Sequence, residues 1–359
     1  MKDGYQQLGK YIRPVDKRNR DLAISKLLGV SITKQFIPSI ANIIGTDLSN
    51  YKIVRTGQFA YGPVTSRNGE KISVALLKED DCIISSSYSV FEVIDKNELN
   101  PEYLMLWFSR PEFDRYARYH SHGSVREIFD WDEMCQVELP VPGIDKQNKI
   151  VDAYRILTDR IDLKQRINDN LEASISVIFK KITTESSAEK AHIVVRDHCR
   201  IFTGKKDVNQ ASSSGKNKFY SCSPVPAYSD DFIYQGKAIL VAGNGSFTGR
   251  TIYVDEAFDL YQRTYAMVPI TNEDEEFLYM IYAAMQSDFQ QTLQSKLHGS
   301  AIPYIVYGDL ADYSFDVDVN WPFYAKRIST MLGSILKNKA EIESLKKLCG
   351  VVLSSISSS

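Results

Sequence analysis

The sequence predicts an α+β protein in which two tandem α/β domains are separated by two long helices that pair with each other as a coiled coil. Two observations predict this fold. A heptad pattern of apolar residues occurs twice, each time after a larger globular segment, and the two halves of the chain share an internal repeat. Together they indicate a duplicated protein with internal pseudo-two-fold symmetry.

The first globular domain is predicted at residues 1–145. In it, Asn68-Gly69 lies between two strand-like runs, and this pair favours the type I′ turn of a β-hairpin. Residues 101–119 have a helical pattern, which Pro111 is expected to divide because proline cannot donate the next helical hydrogen bond. We therefore expect a mixed α/β domain with a hairpin tip in solvent.

The first long helix is predicted at residues 146–183. Its apolar residues step alternately by four and by three, which is the spacing of a coiled coil, and only Lys164 and Asn168 interrupt the pattern. The alternative is a helix that packs only on its own domain. The predicted contact positions are Ile150, Tyr154, Leu157, Ile161, Leu171, Ile175, Ile178 and Ile182.

A short polar linker at residues 184–190 leads to the second globular domain at residues 191–319. The apolar run at residues 238–242 predicts a strand, and it is followed by the turn Gly243-Asn244-Gly245. A nucleotide-binding glycine loop would require a helix after this turn, but the next residues have the pattern of a second strand. The sequence therefore favours a hairpin-like turn.

The second long helix is predicted at residues 320–359, with the same stepping as the first. Asn338 is its one polar contact position, and a polar residue there fixes the register of a helix pair at a cost in stability. We therefore expect Asn338→Leu to stabilise the pair and loosen its register. The predicted contact positions are Ile328, Met331, Ile335, Asn338, Ile342, Leu345, Cys349, Val352 and Ile356.

The internal repeat has a nearly constant offset across loop and helix. The tripeptide His122-Gly123-Ser124 recurs 176 residues later as His298-Gly299-Ser300. Residues of the preceding helices and of the long helices match at almost the same offset, which predicts a gene-level duplication. The further pairs are Phe113 with Phe289, Leu157 with Leu332, and Ile161 with Leu336.

Composition excludes several classes of protein. The 359 residues carry a formal net charge of −2, so any nucleic-acid surface has to be a local basic patch. The five cysteines are scattered without a CxxC spacing, and no apolar run has the length of a membrane span. We expect a cytoplasmic protein with no metal site and no contact with membranes.

No catalytic residue is predicted. Asn320-Trp321-Pro322-Phe323 differs at its second position from the NPPF motif of amino-methyltransferases, and no GxxxxGK[ST] run is present. His120, His122 and His298 lie near glycines, but no nucleophile or carboxylate recurs with them in both halves. A role in holding loops or in contacting a DNA backbone is therefore favoured over catalysis.

Four runs together resemble the specificity subunit of type I restriction-modification systems. The resemblance covers nearly the whole chain, and the order of the runs is more specific than any one of them. Gly62 and Ser87 depart from the family's usual residues, which places the base-contacting loops in question more than the architecture. The runs are GQFAYGP at 57–63, SSSYSVF at 85–91, PVPGIDKQNKIV at 140–151 and AILVAGNGSFTGR at 238–250. In addition, the opening LGKYIRPVDKRN at 8–19 looks like the start of members of this family.

The resemblance implies a non-catalytic subunit with two target recognition domains that read the two halves of a bipartite DNA site, and an antiparallel pairing of the two long helices that places these domains at opposite ends of the coiled coil. It implies that two adenine methyltransferase subunits and the restriction subunits are partners, and that AdoMet and ATP bind to those partners rather than to this chain. A helix of about 36 residues is roughly 54 Å long, the length of about 16 base pairs. The long helices are thus expected to set the unread spacer.

The residue types suited to reading DNA lie in the predicted hairpin tip and in the loops of the second domain. Arg and Lys pair with guanine edges, Asn pairs with adenine edges, and other cations bind phosphates. For each residue alone, a solvated surface charge is the competing interpretation. The predicted DNA contacts are Tyr61, Arg67, Asn68, Lys71 and Tyr88, followed by Lys205, Lys206, Lys218, Asn244, Arg250 and Arg263.

Two other functions remain open from the sequence. One is a scaffold without DNA binding, in which a coiled coil joins two interaction domains. The other is a fused restriction or methyltransferase enzyme, which would need a complete AdoMet-binding motif. Salt-dependent binding to duplex DNA separates the first from the main hypothesis, and methyl transfer by the chain alone identifies the second.

Overall fold

In the computed structural model, the described residues are 4–39, 45–66, 68–123, 126–184, 189–289, 292–293 and 302–358. The chain forms two compact units. Unit 1 comprises Met1–Ile161 and Ser344–Ser359, and unit 2 comprises Asp162–Glu343. Each unit contains a part of both long helices, whereas the predicted recognition domains exclude them; the boundaries of those domains stay a prediction.

Unit 1 is built on a four-stranded antiparallel sheet with the order β2-β9-β6-β7. Pro111 begins a new helix, as predicted, because the preceding Arg110 is extended and proline is favoured at the first helical position. The strands are β1 (Tyr5–Gln7), β2 (Ile12–Val15), β3 (Leu28–Val30), β4 (Phe36–Pro38), β5 (Lys52–Val54), β6 (Phe59–Tyr61), β7 (Val74–Leu76), β8 (Cys82–Ile84), β9 (Ser89–Val93) and β10 (Glu138–Pro140). The helices are α1 (Pro101–Phe108), α2 (Pro111–Tyr119), α3 (Trp131–Gln136) and the first part of α4 (Ile144–Thr184).

Unit 2 is built on a six-stranded sheet with the order β12-β17-β15-β16-β13-β14. Its strands are β11 (Lys190–Val194), β12 (Cys199–Thr203), β13 (Asn217–Tyr220), β14 (Ala227–Ser229), β15 (Tyr234–Ala242), β16 (Thr251–Leu260), β17 (Thr264–Pro269) and β18 (Ser314–Asp318). Its helices are α5 (Val195–His198), α6 (Glu275–Ala284), which continues as a π-helical turn (Met285–Phe289), α7 (Tyr307–Ala311) and the first part of α8 (Trp321–Ser355).

The two units repeat one backbone arrangement, which confirms the predicted duplication. β2-β9-β6-β7 of unit 1 corresponds to β12-β17-β15-β16 of unit 2, and β1–β10 corresponds to β11–β18. Ser124 and His298-Gly299-Ser300 of the repeated tripeptide lie outside the described residues. Equivalent hydrogen bonds run from Leu8 N to Val137 O (2.8 Å) and from Val195 N to Tyr313 O (3.0 Å), and likewise from Ile94 N to Tyr11 O (2.8 Å) and from Ile270 N to His198 O (3.1 Å).

The long helices pair in antiparallel orientation, as predicted. Tyr154 of α4 packs in the same apolar cluster as Leu353 in unit 1, and in unit 2 Asn168 of α4 contacts Asn338. As the residue numbers along α4 rise, the numbers of their partners on α8 fall, so the two helices run in opposite directions. None of the predicted contact positions is exposed. The buried positions are Ile175, Ile182, Ile328, Ile335, Ile342, Leu345, Cys349 and Ile356. The half-buried positions are Ile150, Tyr154, Leu157, Ile161, Leu171, Ile178, Met331, Asn338 and Val352.

The predicted hairpin at Asn68-Gly69 is wrong. β6 and β7 do pair, but their last partners are Tyr61 and Val74, so residues 62–73 form a long connection. Asn68 lacks the positive φ that a type I′ turn needs at both central positions. The chain before Asn68 is instead held by another segment, because Thr65 N donates to Glu127 O over 3.0 Å.

A chain of polar side chains crosses the helix contact in unit 2. Lys164 Nζ lies 2.8 Å from the Glu341 carboxylate and donates to Asn338 Oδ1 over 2.9 Å. Asn338 Nδ2 in turn donates to Asn168 Oδ1 over 2.9 Å, and Asn168 is only 2% exposed. A shift of either helix would separate these partners, so the network specifies the register.

Because of this network, we expect Asn338→Leu to destabilise the helix pair, whereas the sequence pattern predicted that it would stabilise the pair. The single substitution leaves the buried Asn168 without its donor, and we expect a loss of about 1–3 kcal/mol in the free energy of unfolding. Adding Asn168→Leu removes the orphaned amide, so the double variant should regain stability. Urea denaturation of the full chain measures both effects, with the exposed Asn170→Ala as a control within about 0.5 kcal/mol of the unsubstituted chain. A double variant less stable than Asn338→Leu would contradict this account.

Candidate nucleic-acid interface

Each unit presents a loop at the same end of its sheet, held in the same way. In unit 1 the loop of residues 62–73 follows β6, and Phe129 N donates to Pro63 O over 2.8 Å. In unit 2 the loop of residues 243–250 follows β15, and Ile305 N donates to Gly243 O over 3.0 Å. The fold therefore brings two equivalent loops to the surface, one in each unit.

Loop 243–250 connects antiparallel strands, which agrees with the predicted hairpin-like turn and not with a nucleotide-binding loop. Gly243 is required because a Cβ at this position would lie 2.3 Å from Arg263 O. Gly245 has a φ of 83°, and Thr248 Oγ1 donates to Pro303 O over 2.9 Å. These constraints give the loop one conformation.

Asn244 and Arg250 connect this loop to the segment 221–223. Asn244 is half-buried, and its Oδ1 accepts a hydrogen bond from Cys222 Sγ over 3.1 Å. Arg250 Nη2 donates to Ser223 O over 2.6 Å, while its buried Nε has no partner among the described residues. Burial lowers the pKa of Arg250. Arg250 therefore holds loop 243–250 against the segment 221–223.

Unit 2 exposes cationic and aromatic side chains in loop 243–250 and in segments close to it in the sequence or in the fold. Lys205 and Arg263 are exposed, and Phe247 and Tyr304 retain 44% and 40% of their accessible surface. Arg263 and Tyr304 also line a cavity of about 310 Å³ beside Gly243. Cations suit phosphates and guanine edges, and exposed rings suit contacts with bases or sugars.

The other two predicted lysines of unit 2 are engaged in ion pairs. Lys206 Nζ lies 2.7 Å from Asp259 and 3.0 Å from Asp231, and the hydrogen bond to Asp259 raises the pKa of Lys206. Lys218 lies between Glu256 (3.2 Å) and Glu343 (3.3 Å). Burial opposes the charge of Lys218, but the two carboxylates outweigh it and raise its pKa. Their charges are compensated inside unit 2, which makes both poorer phosphate contacts than Lys205.

In unit 1 the structure brings Asn68 and Tyr88 together. Both line a cavity of about 330 Å³, with Gly62, Ser87 and Arg126. Gly62 and Ser87 are the two positions that depart from the family pattern, so the departures lie at the predicted reading loop. Arg126 is exposed and was missed by the sequence interpretation, although it stands close after the repeated His-Gly-Ser tripeptide. Lys71 is exposed, and Arg67 lies outside the described residues.

Tyr61 is a correction to the predicted site. Its side chain is fully buried in the sheet, where its ring packs edge-on against Phe91 and Phe129 at centroid distances of 6.1 and 6.5 Å. Burial raises the pKa of Tyr61 to about 12. This residue belongs to the core and has no surface to offer DNA.

The histidines near loop 62–73 hold a neighbouring segment. The Glu133 carboxylate lies 3.1 Å from His120 Nδ1 and 3.6 Å from His122 Nε2.

Among the residues that the structure describes, no three His, Cys, Asp or Glu side chains are placed to hold a metal ion. Within those same residues, none of the helices combines the length and apolar character needed to cross a bilayer.

Comparison with known proteins finds one family model that matches two ranges of the chain. Residues 11–173 and 193–317 match the model of the type I restriction modification DNA specificity domain. The chain is 30% identical over 151 residues to the type I restriction enzyme EcoDI specificity subunit of Escherichia coli, covering 42% of this chain and 32% of that protein. It is 27% identical over 131 residues to the HindI specificity subunit of Haemophilus influenzae, covering 36% and 28%. The matches thus span less than a third of these relatives.

One solved structure shares the fold over almost the whole chain. The S subunit of a type I restriction-modification system from M. genitalium superposes with a TM-score of 0.61 at 12% sequence identity. The superposition covers 98% of this chain and 95% of that one. The tandem arrangement of two α/β domains and two long helices is therefore shared with a known structure.

Because the two loops lie in different units, we expect substitutions in them to affect different halves of a DNA site. We expect Asn68→Ala to lower discrimination at one half of a bipartite site, and Asn244→Ala to lower it only at the other half, by about 1–3 kcal/mol each. Lys71→Ala and Lys205→Ala should weaken binding to all sequences alike, because phosphate contacts carry no sequence information. Competition binding with DNAs altered in each half measures this. Loss at the same half for both asparagines would contradict the assignment.

Proposed function

Because the chain belongs to the type I restriction modification DNA specificity family, we propose that it recognises a bipartite DNA target for a type I restriction-modification complex. It directs the adenine methyltransferase and restriction subunits to that target. The observation that carries this proposal is the pair of equivalent loops, 62–73 and 243–250, on one duplicated scaffold.

The two loops differ in the side chains they offer, which supports two different half-sites. Loop 62–73 offers Asn68, with Tyr88 and Arg126 beside it. Loop 243–250 offers Asn244, with Arg263 beside it and with an exposed Phe247. Arginine is suited to guanine and asparagine to adenine, so each loop has the chemistry to read a short sequence of its own.

The long helices supply the constant part of this function. In the proposal, the lengths of α4 and α8 set the number of unread base pairs between the half-sites. The polar network of Lys164, Asn168 and Asn338 supports a fixed spacer, because it specifies one register.

We assign catalysis to the methyltransferase and restriction subunits. The chain itself is non-catalytic, and it joins two methyltransferase subunits, with restriction subunits added to them, on double-stranded DNA in the cytoplasm. AdoMet and ATP bind to those partners. The hairpin at Gly243-Asn244-Gly245 supports this division, because this glycine-rich turn leads into β16 and not into a phosphate-binding helix.

Methylation mapping tests the proposal directly. The chain is produced with the methyltransferase subunit of its own system in a host that lacks adenine methylation, and modified adenines are located across the genome. We expect one bipartite motif with a fixed spacer, and no methylation when either protein is omitted. Methylation that does not depend on the chain would refute the proposal, and methylation by the chain alone would identify a fused enzyme.

Salt dependence provides a second test that also separates the scaffold alternative. A complex that contacts roughly 6–10 phosphates loses about 10³- to 10⁵-fold affinity when salt rises from about 50 to 200 mM. We expect a steep linear fall of log Kobs with log salt for the complex with its methyltransferase subunit. Binding to no duplex at any salt concentration would favour a scaffold without DNA binding.

A further inference from the structure

A buried ion pair connects three separate segments of unit 1. Lys34 Nζ and Asp114 Oδ1 are 2.6 Å apart, and their side chains retain only 10% and 12% of their accessible surface. Lys34 lies in the turn between β3 and β4, and Asp114 lies in α2. Burial lowers the pKa of Lys34, while the hydrogen bond and the charge of Asp114 oppose this effect.

Both charged groups also bind the main chain of Ile72. Lys34 Nζ donates to Ile72 O over 2.7 Å, and Ile72 N donates to Asp114 Oδ1 over 3.1 Å. Ile72 is 1% exposed and lies at the end of loop 62–73. The ion pair therefore satisfies both the donor and the acceptor of one buried peptide segment.

Lys34 is held in an unusual backbone conformation to reach this position. Its φ is 66°, a left-handed value that is uncommon for a residue other than glycine. Lys34 N donates to Ser31 O over 3.1 Å, and Ser31 N donates to Gln35 O over 2.9 Å, which closes the turn. The side chain thus projects from a tight turn instead of from a flexible loop.

The anchors of loop 62–73 enclose the residues predicted to read DNA. One anchor is the hydrogen bond from Thr65 N to Glu127 O, and the other is Ile72 with the ion pair. Between them, Asn68 N donates to Thr65 O over 2.9 Å and Lys71 N donates to Asn68 O over 3.3 Å. Ser66 and residues 68–71 therefore lie between two fixed points.

We propose that Lys34 and Asp114 are positioning residues for sequence recognition by unit 1. They do not contact DNA; they fix the end of loop 62–73 through Ile72 and so place Asn68 opposite its base. This inference rests on the proposed function. A loop ordered before binding loses less conformational entropy on the correct DNA, and loss of the anchor should therefore weaken discrimination.

The test compares three variants of the full chain in complex with its methyltransferase subunit. Lys34→Met and Asp114→Asn break the pair, whereas Lys34→Met with Asp114→Leu removes both charges and restores an apolar contact. Affinity is measured for the motif found by methylation mapping and for DNAs altered in each half. Lys26→Met is the matched control, because Lys26 forms an exposed ion pair with Glu79 in the same unit.

We expect each of the three variants to lose about tenfold or more of its discrimination at the half-site that Asn68→Ala affects. Discrimination at the other half-site should stay unchanged, as should all properties of Lys26→Met. Hydrogen exchange of the amides of residues 66–71 should be faster in the three variants than in the unsubstituted chain, even without DNA.

The double variant separates a positioning role from a contribution to stability alone. If it folds as stably as the unsubstituted chain and also discriminates as well, the ion pair serves only stability and the inference is overturned. Unchanged exchange in residues 66–71 would overturn it as well. If the unsubstituted complex itself shows no sequence preference, the proposed function fails, and the inference fails with it.

Discussion

The antiparallel packing of α4 against α8 is the interaction on which both units depend. In unit 1, Val151 of α4 and Leu353 of α8 pack in one apolar cluster with the sheet, and in unit 2 Phe179 and Leu332 do the same. Neither core is closed by its own contiguous globular segment. Because each cluster takes residues from both helices, the register of the pair also decides which side chains complete the two cores. The polar network at Asn338 includes the buried Asn168 and gives this contact one alignment.

Duplication gives the protein a constant frame and two variable surfaces. The equivalent hydrogen bonds of the two units keep the strand before each long helix and the central sheet in one arrangement. Unit 2 adds β13 and β14 to its sheet, and the loops that follow β6 and β15 differ in length and in residue type. Recognition can therefore change in one unit while the scaffold and the other unit stay the same, since the hydrogen bonds that hold each loop come from residues of the same unit.

The long helices and the repeat could be predicted because their signals are local or periodic. A heptad pattern identifies contact positions directly, and every predicted position is buried or half-buried. The loop around Asn68 could not be predicted, since a hydrogen bond from Thr65 to a residue 62 positions away overrides the Asn-Gly turn preference. The ion pairs of Lys206 and Lys218 could not be predicted either, because their carboxylate partners are distant in the sequence. Tyr61 was misplaced because an alternating strand does not reveal whether both of its faces are covered.

The discontinuity of unit 1 has a consequence for synthesis. Unit 2 is one continuous stretch, Asp162–Glu343, whereas unit 1 needs Ser344–Ser359, whose Ser357 carbonyl accepts a hydrogen bond from Tyr5. A ribosome delivers these residues after all of unit 2. Domains generally fold as units in the order in which they emerge, but here the unit that emerges first is completed last. Until residues 344–359 have been synthesised, the apolar residues of unit 1 that pack with Ile356 lack this partner, so the core of unit 1 is completed after that of unit 2.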